Sequence, residues 1–310
     1  MEKLKLLIDT DPGVDDALAI LMAHAHGDVV GLSIAAGNVG LAHTLGNALK
    51  LVETIGAQTP VFAGCATPLV LPAADAAFVH GADGFGDTGY VPSVNQAENE
   101  HAALAILRLS HEHAGKLVLV AMAPLTNIAL ALKLDPGLPQ RIARLVIMGG
   151  AVTGRGNTHL VPAEFNVGFD PEAAHVVFST WPHFTLVDWE LVLRHGIAFE
   201  RMERWLALDN PRARFFAAIS RKTREWTRAH GRLRLMVADA LAMAVALQPD
   251  IVKHAEDHHV AVELAGTLTR GGTVVDWQDR FAQPANAQIV MDVDQVRFEA
   301  LVASALGAVG

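Results

Sequence analysis

Short apolar runs recur along the chain, and each is bounded by glycine or polar residues. Because these runs contain few polar positions, they are typical of strands buried on both faces rather than of strands with one face in water. The predicted strands span residues 4–9, 29–36, 60–64, 116–122, 144–150 and 184–188. Together they indicate a sheet at the centre of the molecule.

Longer segments rich in alanine and leucine separate these runs and have the period of helices. They span residues 15–26, 41–56, 98–115, 126–136 and 170–180. Strands that alternate with helices form βαβ units, in which the strands are parallel. We therefore predict an α/β fold with a mainly parallel, Rossmann-like central sheet flanked by helices.

The last third of the chain has a different pattern. Residues 196–250 contain no clear strand and are predicted to be helical. Residues 258–293 supply a few extra strands, and a final helix follows at 294–306. Since no repeat, low-complexity linker or break in composition divides the chain, we expect a single domain over residues 1–310.

Polar clusters directly follow the predicted strands. Asp9, Asp11, Asp15 and Asp16 follow the first strand, in the sequence DTDPGVDD. Further polar clusters lie at 36–38, 123–127 and 149–166, after later strands. Ligands of such sheets bind outside the carboxyl ends of the strands, so these loops are expected to converge on one acidic pocket.

Composition and charge exclude several classes of protein. With 24 basic and 33 acidic residues the net charge is -9, which gives no basic surplus for a nucleic-acid partner. Cys65 is the only cysteine, which suits a reducing compartment. We find neither a signal-peptide core nor an apolar run of membrane-spanning length, and we expect a cytoplasmic protein without a membrane partner.

The four clustered aspartates need a cation, because like charges at this spacing repel and raise one another's pKa. One aspartate before a helix is usually a cap, but four cannot cap one helix. Oxygen ligands without nearby histidine or cysteine favour Ca²⁺ or Mg²⁺ over structural zinc. The EF-hand pattern fails, since Pro12 stands at its fourth position and Ile20 where its bidentate glutamate belongs.

At this point the residues resemble a known family, the nucleoside hydrolases (inosine-uridine preferring nucleoside N-ribohydrolases). The first block, DTDPGVDDALAI at 9–20, resembles their N-terminal signature. Further similar blocks are AGN (36–38), APLTNIALAL (123–132), VIMGG (146–150), AEFNVGFDPEAAHVVF (163–178) and GGTVVDWQDR (271–280). The resemblance implies Ca²⁺-dependent hydrolysis of the N-glycosidic bond of ribonucleosides, giving ribose and a free base for salvage, by a homodimer or homotetramer.

The resemblance also implies roles for single residues. Asp11, Asp16 and Asp239 match carboxylate ligands of Ca²⁺, and the carbonyl of Thr126 matches a backbone ligand. Asp11 also matches the group that takes a proton from the attacking water, and Asp9 matches a neighbour of the site. The residues that match groups around the ribose and the water are Asp15, Asn38, Met148, Asn157, Glu164 and Asn166. Asn38 is counted with Asp11 among the catalytic candidates because it helps position the water.

One position departs from the family pattern. Many members have a histidine directly before the last calcium-binding aspartate, where it protonates the departing base, and this chain has Ala238 there. His80 and Trp226 are the alternative candidates on the base side, with His230, Arg232 and Arg234 nearby in sequence. The choice of base is expected to depend on loops around 75–90 and 220–235.

Two other functions compete with nucleoside hydrolysis. A ribose- or nucleoside-binding protein would keep the site but lose turnover together with the missing histidine. A phosphohydrolase with an aspartate nucleophile would need a lysine and a later acidic pair over the phosphate, which the sequence does not offer convincingly. The histidines at 111–113 and 258–259 are not expected to bind metal, because neighbours at that spacing do not face each other. The basic segment 200–234 is interpreted as a solvated helical face, since acidic residues are interleaved.

Overall fold

The computed structural model describes residues 3–73, 75–91 and 94–308. Eight strands form one sheet in the order β3-β2-β1-β4-β5-β6-β12-β9. Their bounds are β1 Lys5–Thr10, β2 Asp28–Ile34, β3 Val61–Ala63, β4 Leu117–Ala121, β5 Ile142–Met148, β6 Phe184–Val187, β9 Val252–His258 and β12 Ala287–Val293. Two small antiparallel pairs complete the strands, β7 (Ile197–Ala198) with β8 (Arg234–Leu235) and β10 (Val260–Val262) with β11 (Thr273–Val275).

The sheet is parallel except at one edge. Strand β1 pairs in parallel with both β2 and β4, and β12 pairs in parallel with β6 but antiparallel with β9. Because the chain runs outward from β1 in both directions, the strand order reverses between β1 and β4. Loops diverge at such a point and leave a crevice for a ligand at the carboxyl ends.

Thirteen helices lie among the described residues. They are α1 Val14–His26, α2 Leu41–Ile55, α3 Ala77–His80, α4 Ala102–Glu112, α5 Thr126–Leu134, α6 Leu138–Arg141, α7 Phe165–Phe169, α8 Pro171–Thr180, α9 Trp189–Arg194, α10 Phe199–Leu206, α11 Pro211–Ala229, α12 Ala238–Leu247 and α13 Gln295–Ala305. A 3-10 turn at Pro249–Ile251 follows α12. No helix of the described chain has the length and apolar character needed to cross a membrane.

Both faces of the sheet are covered, as the apolar strands predict. Leu6 and Ile8 point into one core layer with helices α1, α12 and α13, whereas Leu7, between them, points into the other layer with α4, α5 and α8. This alternation follows from the two-residue period of a strand. Since both layers are apolar, the middle of β1 has no face left for water, and its polar residues stand at its ends: Lys5 at the amino end, Asp9 and Thr10 at the carboxyl end.

Helix α12 shows why an acidic residue can reach the centre of the molecule. Nine of its ten residues are buried, and it packs against α1. Asp239 and Asp16 both lie in the first turn of their helices, where the positive end of the helix dipole favours a carboxylate. The packing of α1 on α12 thus brings the two N-termini, and their aspartates, together.

The predicted α/β fold with a mainly parallel sheet and extra strands is confirmed, and the six early strands lie within a few residues of their predicted bounds. The prediction of 196–250 as purely helical is wrong at β7 and β8, a two-residue pair too short to leave a pattern. The sequence pattern does not predict strand β9 either. It is a half-exposed edge strand whose sequence VKHAEDH is polar, so it lacks the apolar signal of the buried strands.

Candidate active site

The loop between β1 and α1 is held in place by Asp16, which lies in the first turn of α1. One carboxylate oxygen of Asp16 accepts hydrogen bonds from the Thr10 hydroxyl and, at 3.3 Å, from the backbone N–H of Asp11. The other oxygen accepts from the Gly13 N–H at 3.0 Å and from Nδ2 of Asn38 at 3.0 Å. Asp16 therefore fixes the turn, and it ties that turn to the loop after β2.

Asp11 lies next to Asp16 and is bonded on one side only. Its Oδ2 accepts from the backbone N–H of Asn38 at 2.6 Å, whereas its buried Oδ1 has no hydrogen-bond partner among the described residues. A methyl group built on Gly37 would lie 2.1 Å from Oδ2 of Asp11, so the close approach of these two loops requires glycine at this position. One Asp11 oxygen is thereby left for a ligand.

Asp15, Asp16 and Asp239 form the compact part of the acidic group. One carboxylate oxygen from each lies within 4.8 Å of the others. Burial, followed by the charges of Asp15, Asp16 and Asp11, raises the pKa of Asp239 well above its usual range. Burial likewise raises the pKa of Asp15 to about 6. Four carboxylates in one buried place are costly unless a cation neutralises them, so this group could hold a metal.

The structure places Asp11, Asp16 and Asp239 close enough for their charges to interact, and the role of these three residues as metal ligands stays a prediction. The compact group contains Asp15, which the sequence analysis places on the sugar, while Asp11 lies beside the group. The division of roles between Asp11 and Asp15 stays a prediction. Thr126, the predicted backbone ligand, is buried at the start of α5, and its hydroxyl donates to Oδ2 of Asp170 at 2.7 Å.

A layer of polar side chains lies beneath the aspartates. Nδ2 of Asn127 donates to Asp9 at 3.0 Å and to the Ser33 hydroxyl at 3.1 Å, and Oδ1 of Asn127 accepts from the Cys65 N–H at 2.8 Å. Burial raises the pKa of Asp9 to about 7, against the hydrogen bonds from Ser33 and Asn127. These bonds join the ends of β1, β2 and β3 to the start of α5.

A second set of predicted residues lies at the end of β5. Glu164 caps α7: it accepts from the backbone N–H groups of Asn166 at 3.0 Å, Gly150 at 2.9 Å and Val167 at 3.2 Å. Burial raises the pKa of Glu164 to about 7 despite these bonds. Nδ2 of Asn166 donates to the carbonyl of Met122 at 2.9 Å and to that of Met148 at 3.3 Å, which ties the ends of β4 and β5.

A cavity of about 250 Å³ lies above these residues. Its floor and walls include nine of the predicted site residues: Asp15, Asn38, His80, Met148, Asn157, Glu164, Asn166, Trp226 and Asp239. Asp11, Asp16 and Thr126 do not line it. Its other walls are mostly apolar or aromatic, and they include Phe78, Phe165, Trp189, Met236 and Val237. Such a cavity suits a small, partly polar molecule with one flat apolar part.

The roof of the cavity is built by α3 and α11. Nδ1 of His80 accepts from the Val14 N–H at 3.1 Å, so a neutral His80 carries its proton on Nε2. Burial lowers the pKa of His80 to about 4. The Phe78 and Trp226 rings lie 6.0 Å apart, and the Thr223 hydroxyl donates to the Val79 carbonyl at 2.9 Å. The two predicted base-side residues thus lie on two helices that are joined to each other.

The sequence did not identify Asp188 and Glu190, which hold the loop that follows β5. Asp188 accepts from the Val152 N–H at 3.0 Å, and Glu190 accepts from the Thr153 N–H at 2.8 Å and from its hydroxyl at 2.6 Å. The signal available was FTLVDWE: an aspartate and a glutamate at the end of a buried strand.

The structure also locates the histidines at 111–113 and 258–259 and the basic segment 200–234. Among the described residues the one group of three or more potential metal ligands consists of Asp15, Asp16 and Asp239, and the expectation that the histidines bind no metal stays a prediction. The basic segment 200–234 includes α10 and α11, with exposed ion pairs such as Arg228 with Glu203. However, Trp226 and Arg232 of this segment line the cavity, so its interpretation as a solvated face is incomplete.

An acidic pocket at the switch point of a parallel sheet, lined by amides and aromatics, is typical of α/β proteins that bind a small molecule. Comparison with known proteins narrows this class. The family model described as "Inosine-uridine preferring nucleoside hydrolase" matches residues 6–300, and the chain belongs to this family. It is therefore an enzyme of the ribonucleoside hydrolase class, which acts on N-glycosyl bonds. The predicted family and enzyme class are confirmed.

Individual relatives agree with this assignment. The chain is 37% identical over 300 residues to "Non-specific ribonucleoside hydrolase RihC" of Klebsiella pneumoniae, covering 96% of each chain. It is 34% identical over 315 residues to "Inosine-uridine preferring nucleoside hydrolase" of Crithidia fasciculata, covering 99% of this chain and 98% of that one. Among solved structures, "Inosine-Guanosine Nucleoside Hydrolase (IG-NH)" is similar with a TM-score of 0.91 at 32% identity, covering 99% of each chain.

Proposed function

We propose that the protein hydrolyses ribonucleosides to ribose and free base in a Ca²⁺-dependent reaction. The main support for this proposal is that one cavity combines two features. Its floor presents buried aspartates whose pKa values are raised, and its walls present the amide and carboxyl groups of Asn38, Glu164 and Asn166. The first feature suits a divalent cation, and the second suits a sugar with several hydroxyls.

The donor set fits Ca²⁺. Hard oxygen donors surround the position, and the buried Oδ1 of Asp11 lacks a partner within the described chain. We propose that Asp11, Asp16 and Asp239 hold the ion through their carboxylates and Thr126 through its carbonyl. When bound, Ca²⁺ neutralises the carboxylates and lowers the pKa of a nearby water.

Asp11 is the proposed general base. Its Oδ2 is already occupied by the Asn38 N–H, so Oδ1 is the atom that would receive the proton of the attacking water. Nδ2 of Asn38 donates to the Asp11 carbonyl at 3.1 Å and to Asp16 at 3.0 Å, which leaves its side-chain oxygen to orient the water. Asn38 thus positions the water that Asp11 deprotonates.

The ribose is proposed to lie over Met148, with its hydroxyls held by Asp15, Asn157, Glu164 and Asn166. The Asn166 amide nitrogen is used by two backbone carbonyls, so its oxygen remains available to accept from a hydroxyl. Breaking the C–N bond gives the sugar oxocarbenium character, and the carboxylates below it stabilise that positive charge. The same groups would reject sugars that lack a hydroxyl.

The base is proposed to lie under the roof, near His80 and Trp226. At neutral pH His80 is neutral because burial lowers its pKa to about 4, and its Nε2–H can donate a hydrogen bond to the base. Trp226 offers an aromatic ring for stacking. Neither His80 nor Trp226 is a strong acid, and Ala238 has no acidic group at all.

The test is release of ribose, measured with a reducing-sugar assay on inosine, guanosine, adenosine, uridine and cytidine, with Ca²⁺ and after strong chelation. Ribose release that depends on Ca²⁺ supports the proposal. Tight nucleoside binding without ribose release would instead favour the alternative of a ribose- or nucleoside-binding protein. Release of phosphate from phosphate esters would favour a phosphohydrolase.

We also propose that the enzyme assembles as a homodimer or homotetramer and acts in the cytoplasm. Both proposals rest on the family relationship and on the single, half-buried Cys65. The molar mass measured by light scattering tests the assembly, since one chain is 33.0 kDa.

A further inference from the structure

Arg232 has an unusual place in the cavity wall. Among the described residues that line the cavity it is the only arginine or lysine, and it is half-buried. Its guanidinium carbon lies 5.9 Å from the centroid of the Trp189 ring, which lines the same cavity. Within the described chain its guanidinium forms no ion pair with a carboxylate and no hydrogen bond.

The neighbouring arginines differ from Arg232 in this respect. Arg228 pairs with Glu203, Arg201 pairs with Glu299, and Nη1 of Arg234 donates to the Gly196 carbonyl at 3.2 Å. A guanidinium removed in part from water without a partner costs free energy, which a ligand with acceptor atoms would recover. Since no other described residue uses the donors of Arg232, a molecule in the cavity can accept hydrogen bonds from this side chain.

On the base side of the cavity the neutral Nε2–H of His80 is available as a hydrogen-bond donor, and Arg232 is the only arginine or lysine among the described lining residues. Position 238 is alanine, and Nδ1 of His80 is occupied by the Val14 N–H. As the bond between ribose C1′ and the base nitrogen breaks, its electron pair goes to the base, and a water oxygen forms the new bond to C1′. One water proton goes to Asp11, and the base then takes up a proton from solvent. Until that proton arrives, the base carries negative charge.

We propose that Arg232 selects 6-oxopurine bases and stabilises this negative charge while the base departs. This inference rests on the proposed nucleoside hydrolysis. The O6 and N7 atoms of a 6-oxopurine are two adjacent acceptors, which match the fork of a guanidinium. Adenine has an amino group at position 6 in place of O6. Two hydrogen-bond donors, this amino group and the guanidinium of Arg232, would then face each other. Negative charge from the broken bond delocalises onto O6, where a preorganised cation stabilises it.

The experiment compares kcat/KM of the wild type, Arg232→Gln and Arg232→Lys on inosine, guanosine, adenosine and p-nitrophenyl riboside. For Arg232→Gln we expect a loss of about 10- to 100-fold on inosine and guanosine, the range of one bidentate contact, and little change on adenosine. The p-nitrophenyl riboside, whose phenolate leaves without protonation, should also change little. Arg232→Lys should keep part of the activity, because it retains the charge without the fork.

Arg204→Gln is the matched control, since Arg204 is exposed on α10, away from the cavity, and its loss changes the net charge equally. An unchanged ratio of inosine to adenosine activity in Arg232→Gln overturns the proposal, as does an equal loss on all four substrates. If the wild type cleaves no nucleoside, the proposed function has failed. In that case the affinities of the wild type for inosine and adenosine, measured by calorimetry, test whether Arg232 selects the base. Equal affinities for the two nucleosides overturn the selective role of Arg232.

Discussion

Asp11 is the residue in which the proposed chemistry can be tested most directly. Its two oxygens have different surroundings: Oδ2 accepts from Asn38, and the buried Oδ1 has no partner within the described residues. Asp11→Asn keeps the volume but removes both charge and basicity. We expect kcat to fall by at least about 10²- to 10⁴-fold, the range for loss of a general base.

The control for this change is Asp257→Asn, an exposed aspartate on the edge strand β9. Its kcat should equal that of the wild type. Turnover of Asp11→Asn within a few-fold of the wild type would show that another group accepts the proton.

Variants at Ala238 and His80 test how the base departs in the proposed reaction. Ala238→His should raise kcat on inosine, since a general acid contributes about 10²- to 10⁴-fold, and should leave p-nitrophenyl riboside almost unchanged. His80→Asn can keep an acceptor near the Val14 N–H while removing Nε2–H. If His80 assists the base, this variant should be slower on inosine only. A loss on both substrates would mean that His80 mainly holds the α1 turn.

The raised pKa of Glu164 predicts that the free energy of unfolding depends on pH. Burial raises its pKa from 4.5 to about 7, so between these values the folded state binds more protons than the unfolded state. The contribution of Glu164 to the free energy of unfolding is therefore largest below about pH 4.5 and is lost as the pH rises to about 7. Urea unfolding between pH 4.5 and 7.5 measures this. Relative to the wild type, Glu164→Gln should lack this fall with pH, and equal slopes in the two proteins would contradict the raised pKa.

At the scale of secondary-structure elements, Asn127 joins the carboxyl ends of β1, β2 and β3 to the start of α5. Asn127→Ala removes its bonds to Asp9, Ser33 and the Cys65 N–H, and it leaves that half-buried N–H without its acceptor. Each unsatisfied buried group costs about 1–3 kcal/mol, so we expect a fall of at least that size in the free energy of unfolding. Urea unfolding measures it, with the exposed Asn99→Ala as control. A fall equal to that of the control would show that the loops are held by other contacts.

The elements themselves differ in how far the sequence predicts them. Strand β1 and its neighbours are buried on both faces, so their apolar runs are unambiguous, and the loop aspartates stand out beside them. Strand β9 lies at the edge of the sheet and has a polar sequence. It is therefore recognised only in the structure, from its pairing with β12. The same limit applies to the site. Asp11 and Asp16 belong to a dense local motif, whereas Asp188 and Glu190 accept hydrogen bonds from the backbone of a loop more than 30 residues earlier, for which FTLVDWE is only a weak local signal.

At the scale of the whole molecule, the proposed Ca²⁺ site joins distant parts of the chain. Asp11 and Asp16 belong to the first loop, and Asp239 belongs to α12, near the end. An ion that binds only the folded state stabilises it by about 2.7 kcal/mol when the free ion is at 100 times its Kd. Chelation should therefore lower the melting temperature, and returning Ca²⁺ should restore it.

The control for this prediction is Asp239→Asn, in which the melting temperature should respond much less to Ca²⁺. Removing one charge from the crowded carboxylates should at the same time stabilise the metal-free protein. A wild-type melting temperature that is indifferent to chelation and to Ca²⁺ return would count against the site.

The strand order has a consequence for how the chain is made. Strand β6 is completed by β12, and the acidic loop of β1 is completed by α12, yet both partners leave the ribosome long after the segments that they cover. A growing chain therefore exposes an unpaired sheet edge and uncompensated aspartates through much of translation. Open strand edges invite pairing with other chains. We therefore expect the edge of β6 to be a segment through which nascent copies can pair with one another until β12 has been made.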